Sequence, residues 1–414
     1  MRFSCNYNKL LGHLQNVANV VEDSLSSEDD KNIIFQFKQT EEGQVVKLVG
    51  ISLQVIFREE LPAEDYDLTL GADEVDQNGF AYMQLKSKDL LAFLNSYKSV
   101  RRTKVNDVIL EPANGKIKCT VTESPIVSDE ELSLDPLAGD RTMFSQWMFS
   151  NIPIKPNKLP FINIAAPTEG LADFSTTAFR LYASCLLPIM ENIQGLYGYM
   201  MFDANNVVAF NKAYISVMKN ALAGTGVFTD IRLGYRSIDF INKAICIADY
   251  VQVAKLEKHI FFKTAMSETF VTFDSKLAPY QNQLDLYGKD SCVKVDRMYL
   301  KDVLKRLSLN NDAIVVQIKP ADGIINLSNS NFSQDIEIKG QFGMEGLDHI
   351  KFKIMPDVLS KAIIGDDDTF YREGDEETAN TYLYYKAISD SKFSITFADS
   401  TDTWFSVAII VPLR

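Results

Sequence analysis

The chain has 414 residues, 46% of them hydrophobic and 23% charged, a composition that supports several packed domains and excludes a disordered polymer. No run approaches the roughly 18 consecutive apolar residues of a membrane-spanning helix, and the opening residues lack a signal-peptide layout. Five cysteines, Cys5, Cys119, Cys185, Cys246 and Cys292, stand too far apart for a disulfide framework, so a reducing, cytoplasmic setting is expected, with the thiols acting as small buried hydrophobes.

Periodicity predicts one unit six times: an amphipathic helix followed by alternating strands. A helix over 8–21 puts Leu10, Leu14, Val17 and Val21 on one face and Lys9, His13 and Asn16 on the other, and strands over 33–38 and 45–49 follow. The second, over 87–100, packs Leu90, Leu91, Leu94 and Tyr97 and exposes Lys88, Lys98, Arg101 and Arg102; strands over 107–111 and 116–122 meet at the turn Ala113-Asn114-Gly115. In the third, over 175–190, Arg180 is the one cation, and strands over 199–202 and 207–210 join through Ala204-Asn205-Asn206. The fourth, over 237–249, turns Ile238, Ile241, Ile245 and Ala248 inward with Arg236 and Lys243 on the polar side, ahead of strands over 259–264 and 268–273. The fifth, over 296–307, is the clearest: Leu300, Val303, Leu304 and Leu307 follow core spacing, while Arg297, Lys301 and Lys305 stand four apart on another face. Strands over 313–319 and 323–328 follow it, joined by Ala321-Asp322-Gly323. The sixth, over 356–364, carries Lys361, with Lys351 and Lys353 upstream and strands over 382–388 and 392–397 beyond, across Ser389-Asp390-Ser391. Asn6 or Asn8, Ser87, Ser175, Ser237 and Asp296 are the expected N-caps. Grouped in pairs, the six units make an α+β chain of three tandem domains, 1–166, 167–289 and 290–414, each with two helices packed on antiparallel sheets.

Fifty-five acidic against 42 basic residues give a formal charge of −13, which would repel a polyanion if it were spread evenly. It is not spread evenly. Acid collects in predicted loops, at Glu22, Asp23 and 28–30, at Asp129 to Glu131, and at Asp366 to Asp368 with Glu373 and 375–377, while the cations named above recur on helices. A protein acidic overall but basic on one recurrent element can hold DNA against that element and keep it off the rest of its surface.

Chemistry of the enzymatic kind has no carrier in this sequence. His13, His259 and His349 are isolated, so neither an HExxH helix nor a His/Cys metal cluster nor a nucleophile triad can be assembled, and phosphate-cradling glycine loops are absent. A non-enzyme without metal or cofactor is expected. Two other readings remain open: a β-rich repeat structural protein of the virion type, which needs no basic helix faces, and a hydrolase, which needs a polar cleft with perturbed titratable groups.

Four segments carry a resemblance: the opening MRFSCNYNKLLGHLQNVANVV, then ADFSTTAFRLYASCLLPIM, GYMMFDANNVVAFNKAYISV, and the ending FSVAIIVPLR. In order and spacing they make the chain similar to the bacterial replicative DNA sliding clamp, the beta subunit of the replicase, in a phage-encoded version. The resemblance implies a closed homodimeric ring, helices lining the hole and sheets outside. Its implied partners are double-stranded DNA, a clamp loader, a polymerase held through a clamp-binding peptide, and a second copy of itself, with no membrane.

The DNA-facing set is then Lys9, His13, Lys88, Lys98, Arg101, Arg102, Arg180, Arg236, Lys243, Arg297, Lys301, Lys305 and Lys361. Laid over this chain, the family's peptide pocket falls on Phe210, Lys212, Tyr214 and Ile215, on Pro279, Gln283 and Leu284, and on Ile409, Ile410, Val411, Pro412, Leu413 and Arg414. Phe210-Asn211-Lys212-Ala213-Tyr214 departs from the Thr-Asp-Gly-His-Arg run usual in the family. The ring contact is expected between edge strands of the first and third domains, with 142–149 as the first-domain edge and Phe144 and Trp147 as its anchors; Trp147 could instead fill the domain core.

Overall fold

A computed structural model of the chain describes residues 1–22, 30–40, 43–71, 73–99, 103–126, 142–190, 198–210, 214–276, 280, 291–310, 312–344, 350–356, 359–360, 380–389, 392–398 and 405–412. One element order runs through it three times: strand, helix, a set of strands, helix, three strands. The first pass is β1 (Arg2–Asn6), α1 (Tyr7–Val21), β2 (Asn32–Thr40), β3 (Gly43–Ile51), β4 (Val55–Glu60), β5 (Tyr66–Thr69), β6 (Phe80–Lys86), α2 (Ser87–Asn95), β7 (Thr103–Ala113), β8 (Lys116–Pro125) and β9 (Met143–Ser150). The second is β10 (Ala172–Ser175), α3 (Thr176–Met190), β11 (Tyr199–Phe202), β12 (Asn206–Phe210), β13 (Tyr214–Lys219), β14 (Ile231–Gly234), α4 (Tyr235–Phe240), β15 (Tyr250–Lys255), β16 (His259–Lys263) and β17 (Ser267–Thr272). The third is β18 (Ser291–Asp296), α5 (Arg297–Leu307), β19 (Ile314–Lys319), β20 (Ile324–Ser328), β21 (Ser333–Phe342), β22 (Ile350–Ile354), β23 (Asn380–Ser389), β24 (Lys392–Ala398) and β25 (Phe405–Pro412). In the expected sixth helix, residues 356, 359 and 360 are helical, and 357–358 and 361–364 lie outside the described residues.

Packing gathers the chain into two compact units, Met1–Leu171 with Gln252–Thr272, and Ala172–Val251 with Phe273–Arg414. Strand pairing explains the division. In the first unit β17 joins the outer edge of β4, with Glu268 opposite Arg58 and Phe270 opposite Ile56. In the second, β25 joins the outer edge of β13, with Tyr214 opposite Ile409 and Val217 opposite Ser406. The last strand of one repeat thus completes the sheet of the repeat before it.

Local chemistry sets the helices. Asn6 Oδ1 accepts from the amides of Asn8 and Lys9 at 3.1 and 3.3 Å, opening α1, whose Leu10, Leu14, Val17 and Val21 are buried. A Cβ on Gly50 of β3 would lie 2.9 Å from Val17 Cγ1, so glycine there lets helix and sheet approach. Asp296 Oδ1 accepts from the Tyr299 amide at 2.8 Å and opens α5. Two expected caps are replaced: α2 and α4 start after Lys86 and Gly234, so Ser87 and Ser237 lie inside the first turn, whereas Ser175 ends β10 directly before α3, in the expected cap position. Both interior serines are fully buried. The fourth helix is shorter than its pattern predicts, because α4 passes at Ile241–Ile245 into a π turn and ends. Asn114 and Gly115 take left-handed φ of 51° and 73°, the backbone that their hairpin requires.

Candidate functional site

Three surfaces answer to the sequence expectations: strand edges, helix faces and the end of β25. The first-unit sheet runs β5-β1-β7-β8-β9, so β9 is terminal, and no described strand pairs with its outer edge. It reads Met-Phe-Ser-Gln-Trp-Met-Phe-Ser, eight residues without a charge. Phe149 is buried against Phe93, whereas Phe144 is 63% and Trp147 57% exposed; Trp147 touches the rim of the core through Phe93 at 6.0 Å but does not fill it. An uncharged, aromatic, eight-residue open edge is the kind of strand that other soluble proteins cover or charge.

The second-unit sheet contains a matching open edge. Its order is β14-β11-β12-β13-β25-β24-β23-β18-β21-β20-β19-β22. The first half of β21, from Ser333 to Glu337, pairs with β20 on one side, while only the stretch from Ile338 to Phe342 pairs with β18 on the other. Position by position, the first half of β21 matches β4 and β13, each of which follows the second strand of its hairpin. β4 and β13 have their outer edges occupied by β17 and β25. Among the described residues, Ser333–Glu337 has no such occupant.

On the helices the cations differ in exposure and pairing. Lys9, Lys88, Lys98, Arg236, Lys243 and Lys305 are exposed. Lys9 lies 3.7 Å from Asp65, Arg180 2.7 Å from Asp249, and Lys243 2.9 Å from Asp239 one turn away, so these charges are partly compensated. His13 was expected on an open polar face; its Nδ1 instead lies 2.9 Å from Glu59 Oε1, where Asn16 Nδ2 also donates to the same carboxylate. The basic ridge expected on α5 is the main correction. Arg297 and Lys301 are 4% and 8% exposed, and only Lys305 of the three stands in solvent. Arg297 lies three residues before Leu300, and Lys301 three before Leu304, so both border the apolar stripe and lay their stems along it. Arg101, Arg102 and Lys361 lie outside the described residues.

At the expected peptide pocket the backbone brings two of the three walls together. Phe210 is opposite Ile215 in the β12–β13 hairpin, and Tyr214 is opposite Ile409. The β13 register stops there, while β25 continues: Ile410, Val411 and Pro412 face Ser394, Phe393 and Lys392 of β24 and have no described partner on the β13 side. Ile215 is buried. Lys212, Pro279, Gln283, Leu284, Leu413 and Arg414 lie outside the described residues.

Sequence reasoning missed a polar cavity of about 310 Å³ in the first unit, lined by Lys38, Lys47, Arg58, Phe80 and Glu268 among others. Its signal was present: Val55-Ile56-Phe57-Arg58-Glu59-Glu60 places charges on both faces of a strand otherwise buried on both sides. Among the described residues no group of three or more His, Cys, Asp and Glu could hold a metal ion, and no helix is long and apolar enough to cross a membrane.

No protein-family model matches this sequence, and no curated protein does. Solved structures do match, over the whole chain. The DNA polymerase sliding clamp from Bacillus subtilis superposes with a TM-score of 0.68 at 12% identity, covering 100% of this chain and 99% of its own. The beta chain of DNA polymerase III from Streptococcus pneumoniae gives 0.67 at 12%, with the same coverage. The sliding clamp from Pseudomonas aeruginosa gives 0.66 at 14%, covering both chains completely. The chain therefore has the sliding-clamp fold from end to end.

Proposed function

We propose that the protein is a DNA sliding clamp: copies joined end to end enclose duplex DNA and hold a polymerase on it, without catalysing a reaction. One observation carries the reading. Three repeats each own an acceptor edge, at β4, β13 and the first half of β21, and each own a donor strand, at β9, β17 and β25. Among the described strands two acceptors are filled from within the chain, which leaves one donor, β9, and one acceptor, Ser333–Glu337 of β21, at opposite ends of the series. A second copy satisfies both at once, and a head-to-tail contact that repeats until it meets itself closes a ring. On this reading the repeats are three domains, 1–166, 167–289 and 290–414, and the ring is a homodimer joined through Phe144 and Trp147.

The exposed cations Lys9, Lys88, Lys98, Arg236, Lys243 and Lys305 are assigned to the inner, DNA-facing surface, as is Arg180. Each contact is a modest, salt-screened attraction, which suits a protein that must slide. The end of β25 beyond its last described pairing, Tyr214 with Ile409, is assigned to partners: a clamp loader and a polymerase would each insert a short peptide near Ile410, Val411 and Pro412. Topology gives the test. Subunits cross-linked on a nicked circular duplex should resist high salt and fall off once the circle is linearised. Salt-sensitive binding that ignores linearisation would remove the clamp reading.

A further inference from the structure

The polar cavity of the first unit lies on the sheet face turned away from α1. Gly50 meets Val17 of that helix, and the cross-strand partners of Gly50 and its neighbours fix the other face as the one bearing Gln36, Lys38, Val45, Lys47, Arg58 and Glu268. Three cross-strand rows make the floor: Phe80, Lys38 and Val45; then Gln36 with Lys47; then Arg58 with Glu268. The wall is the stretch from Asn163 to Ala166, and it is fastened down. Arg58 Nη1 donates to the Ile164 carbonyl at 2.7 Å, Gln36 Nε2 donates to Asn163 Oδ1 at 2.7 Å, and Asn163 Nδ2 donates to Tyr82 Oη at 3.0 Å. Arg58 and Gln36 are both more than nine-tenths buried, so the cavity is held open by interior groups and not by surface side chains.

Its charge is unbalanced. Glu268 Oε2 lies 2.8 Å from Arg58 Nη2 and 3.5 Å from Lys47 Nζ, so one lining carboxylate serves two cations, and Glu60 adds a half-exposed contact to Lys47 at 3.3 Å. Lys38 is exposed, its ammonium 5.2 Å from the centre of the Phe80 ring. A positive, partly apolar hollow in a chain of net charge −13 is not the default surface. Nor does the duplex account for it: on the reading above, the helices face the DNA and this face lies outside the ring.

We propose that this cavity is a ligand site for a small organic anion, a carboxylate or phosphate carried on a flat apolar body. The anion would sit between Lys38 and Lys47, and the body would lie on Phe80 and Val45 against Ile164 and Ala165. The volume falls at the lower end of small-molecule sites, enough for a ligand of one or two fused rings. The wall held by Arg58, Gln36 and Tyr82 means that little ordering accompanies binding.

Ligand-observed NMR on the full-length protein tests this with three probes of one shape: 2-naphthoate, 2-naphthyl phosphate and neutral 2-naphthamide. Saturable binding of either anion, with the amide much weaker, is expected, and the stronger anion identifies the headgroup class. The double variant Lys38→Met, Lys47→Met should lose roughly tenfold or more in affinity, the scale of one charge-assisted hydrogen bond. Lys38 is exposed and the Lys47 side chain is 24% exposed, so neither fills the core, and an unchanged melting temperature shows that the fold is intact. Ala165→Trp, which fills the hollow, should abolish binding by itself. Equal binding of the amide, no saturable binding of any probe, or affinity untouched by both variants would each overturn the site. Retention on circular DNA does not depend on the cavity, so failure here leaves the clamp assignment standing, and the converse holds.

Discussion

On the proposed assembly, replacing Phe144 and Trp147 by alanine should convert the ring into folded monomers. More than half of each side chain is exposed in the single chain, so roughly 250 Å² of aromatic surface remains to be covered, worth up to ~6 kcal/mol at ~25 cal/mol per Å². Truncation at the centre of an interface recovers part of that, about 4 kcal/mol for the pair, or about a thousandfold in dissociation constant at each joint. Inside the chain the substitutions remove little: the contact of Trp147 with Phe93, at 6.0 Å, is worth about 1 kcal/mol. Sedimentation across a dilution series, with circular dichroism as the folding control, separates the two effects. A folded double mutant that sediments as the wild type does would refute the assignment of β9 as the unmatched donor strand. A mutant that unfolds would mean that Trp147 is core after all.

Other outcomes follow from the same geometry. Reversing Lys98, Arg236, Lys243 and Lys305 together to glutamate should flatten the salt dependence of DNA binding, by about 0.9 in the log–log slope for each phosphate no longer neutralised, while the ring survives; an unchanged slope would mean that these residues face elsewhere. Arg297→Glu and Lys301→Glu should instead lower the melting temperature, because each places a carboxylate where the structure buries a cation, and thermal unfolding reads this directly. Tyr214→Ala, or removal of Leu413 and Arg414, should abolish binding of a polymerase's clamp-binding peptide in titration without changing the ring. Burial pushes the thiols of Cys5, Cys119, Cys246 and Cys292 up to about 12, so the folded protein should stay unreactive toward thiol reagents at pH 8 and become reactive only on unfolding.

Periodicity read the helices best, since an apolar stripe is a property of one segment. Leu10, Leu14, Val17 and Val21, or Leu300, Val303, Leu304 and Leu307, declare their buried face without reference to anything distant. The same patterns misplaced Arg297 and Lys301, because a helical wheel shows which face a cation occupies but not how far the neighbouring sheet reaches up that face. His13 was misread for a related reason: its partner, Glu59, is 46 residues away. The end of β25 beside Tyr214 was accessible only through family resemblance, since nothing local in Tyr214 or Ile409 announces that their strands neighbour one another. The cavity around Lys38 needed the fold itself. It depends on five strands, the last of them β17, and on a returning segment more than a hundred residues after β2, and the one hint lay in the charges of β4.

The two filled joints show why the fold persists where sequence similarity is faint. At β4 and β17 the outward pairs are Glu268 with Arg58, the carboxylate also drawing Lys47 toward it, and Phe270 with Ile56. At β13 and β25 the pairs are Ile215 with Ala408, Val217 with Ser406 and Met218 with Phe405, with no charged residue among them. One chain therefore builds the same strand-on-strand joint twice from unrelated side chains, and what the two joints share is a row of backbone hydrogen bonds that almost any non-proline sequence can supply. On the proposed clamp reading no reacting atom has to be held in place, so the constraint falls on strand length, edge exposure and order along the chain. Side chains are free to diverge so long as each joint stays closed. The unfilled pair follows from this: β9 offers aromatics and no charge, whereas Ser333–Glu337 offers Asp335 and Glu337, so the joint between copies should combine backbone pairing with aromatic cover. A proline at Asp335 removes the central amide of the acceptor edge, because the Ile338 amide donates to Gly323 and so sets the amides of Ile336 and Ile338 on the β20 side, and it also removes the carboxylate that accepts from Asn326 at 2.7 Å; it should then weaken assembly and the third repeat together. The double substitution at Phe144 and Trp147 weakens assembly alone. Agreement of the two variants in sedimentation, with their separation in thermal stability, is the outcome that a shared β9–β21 joint demands.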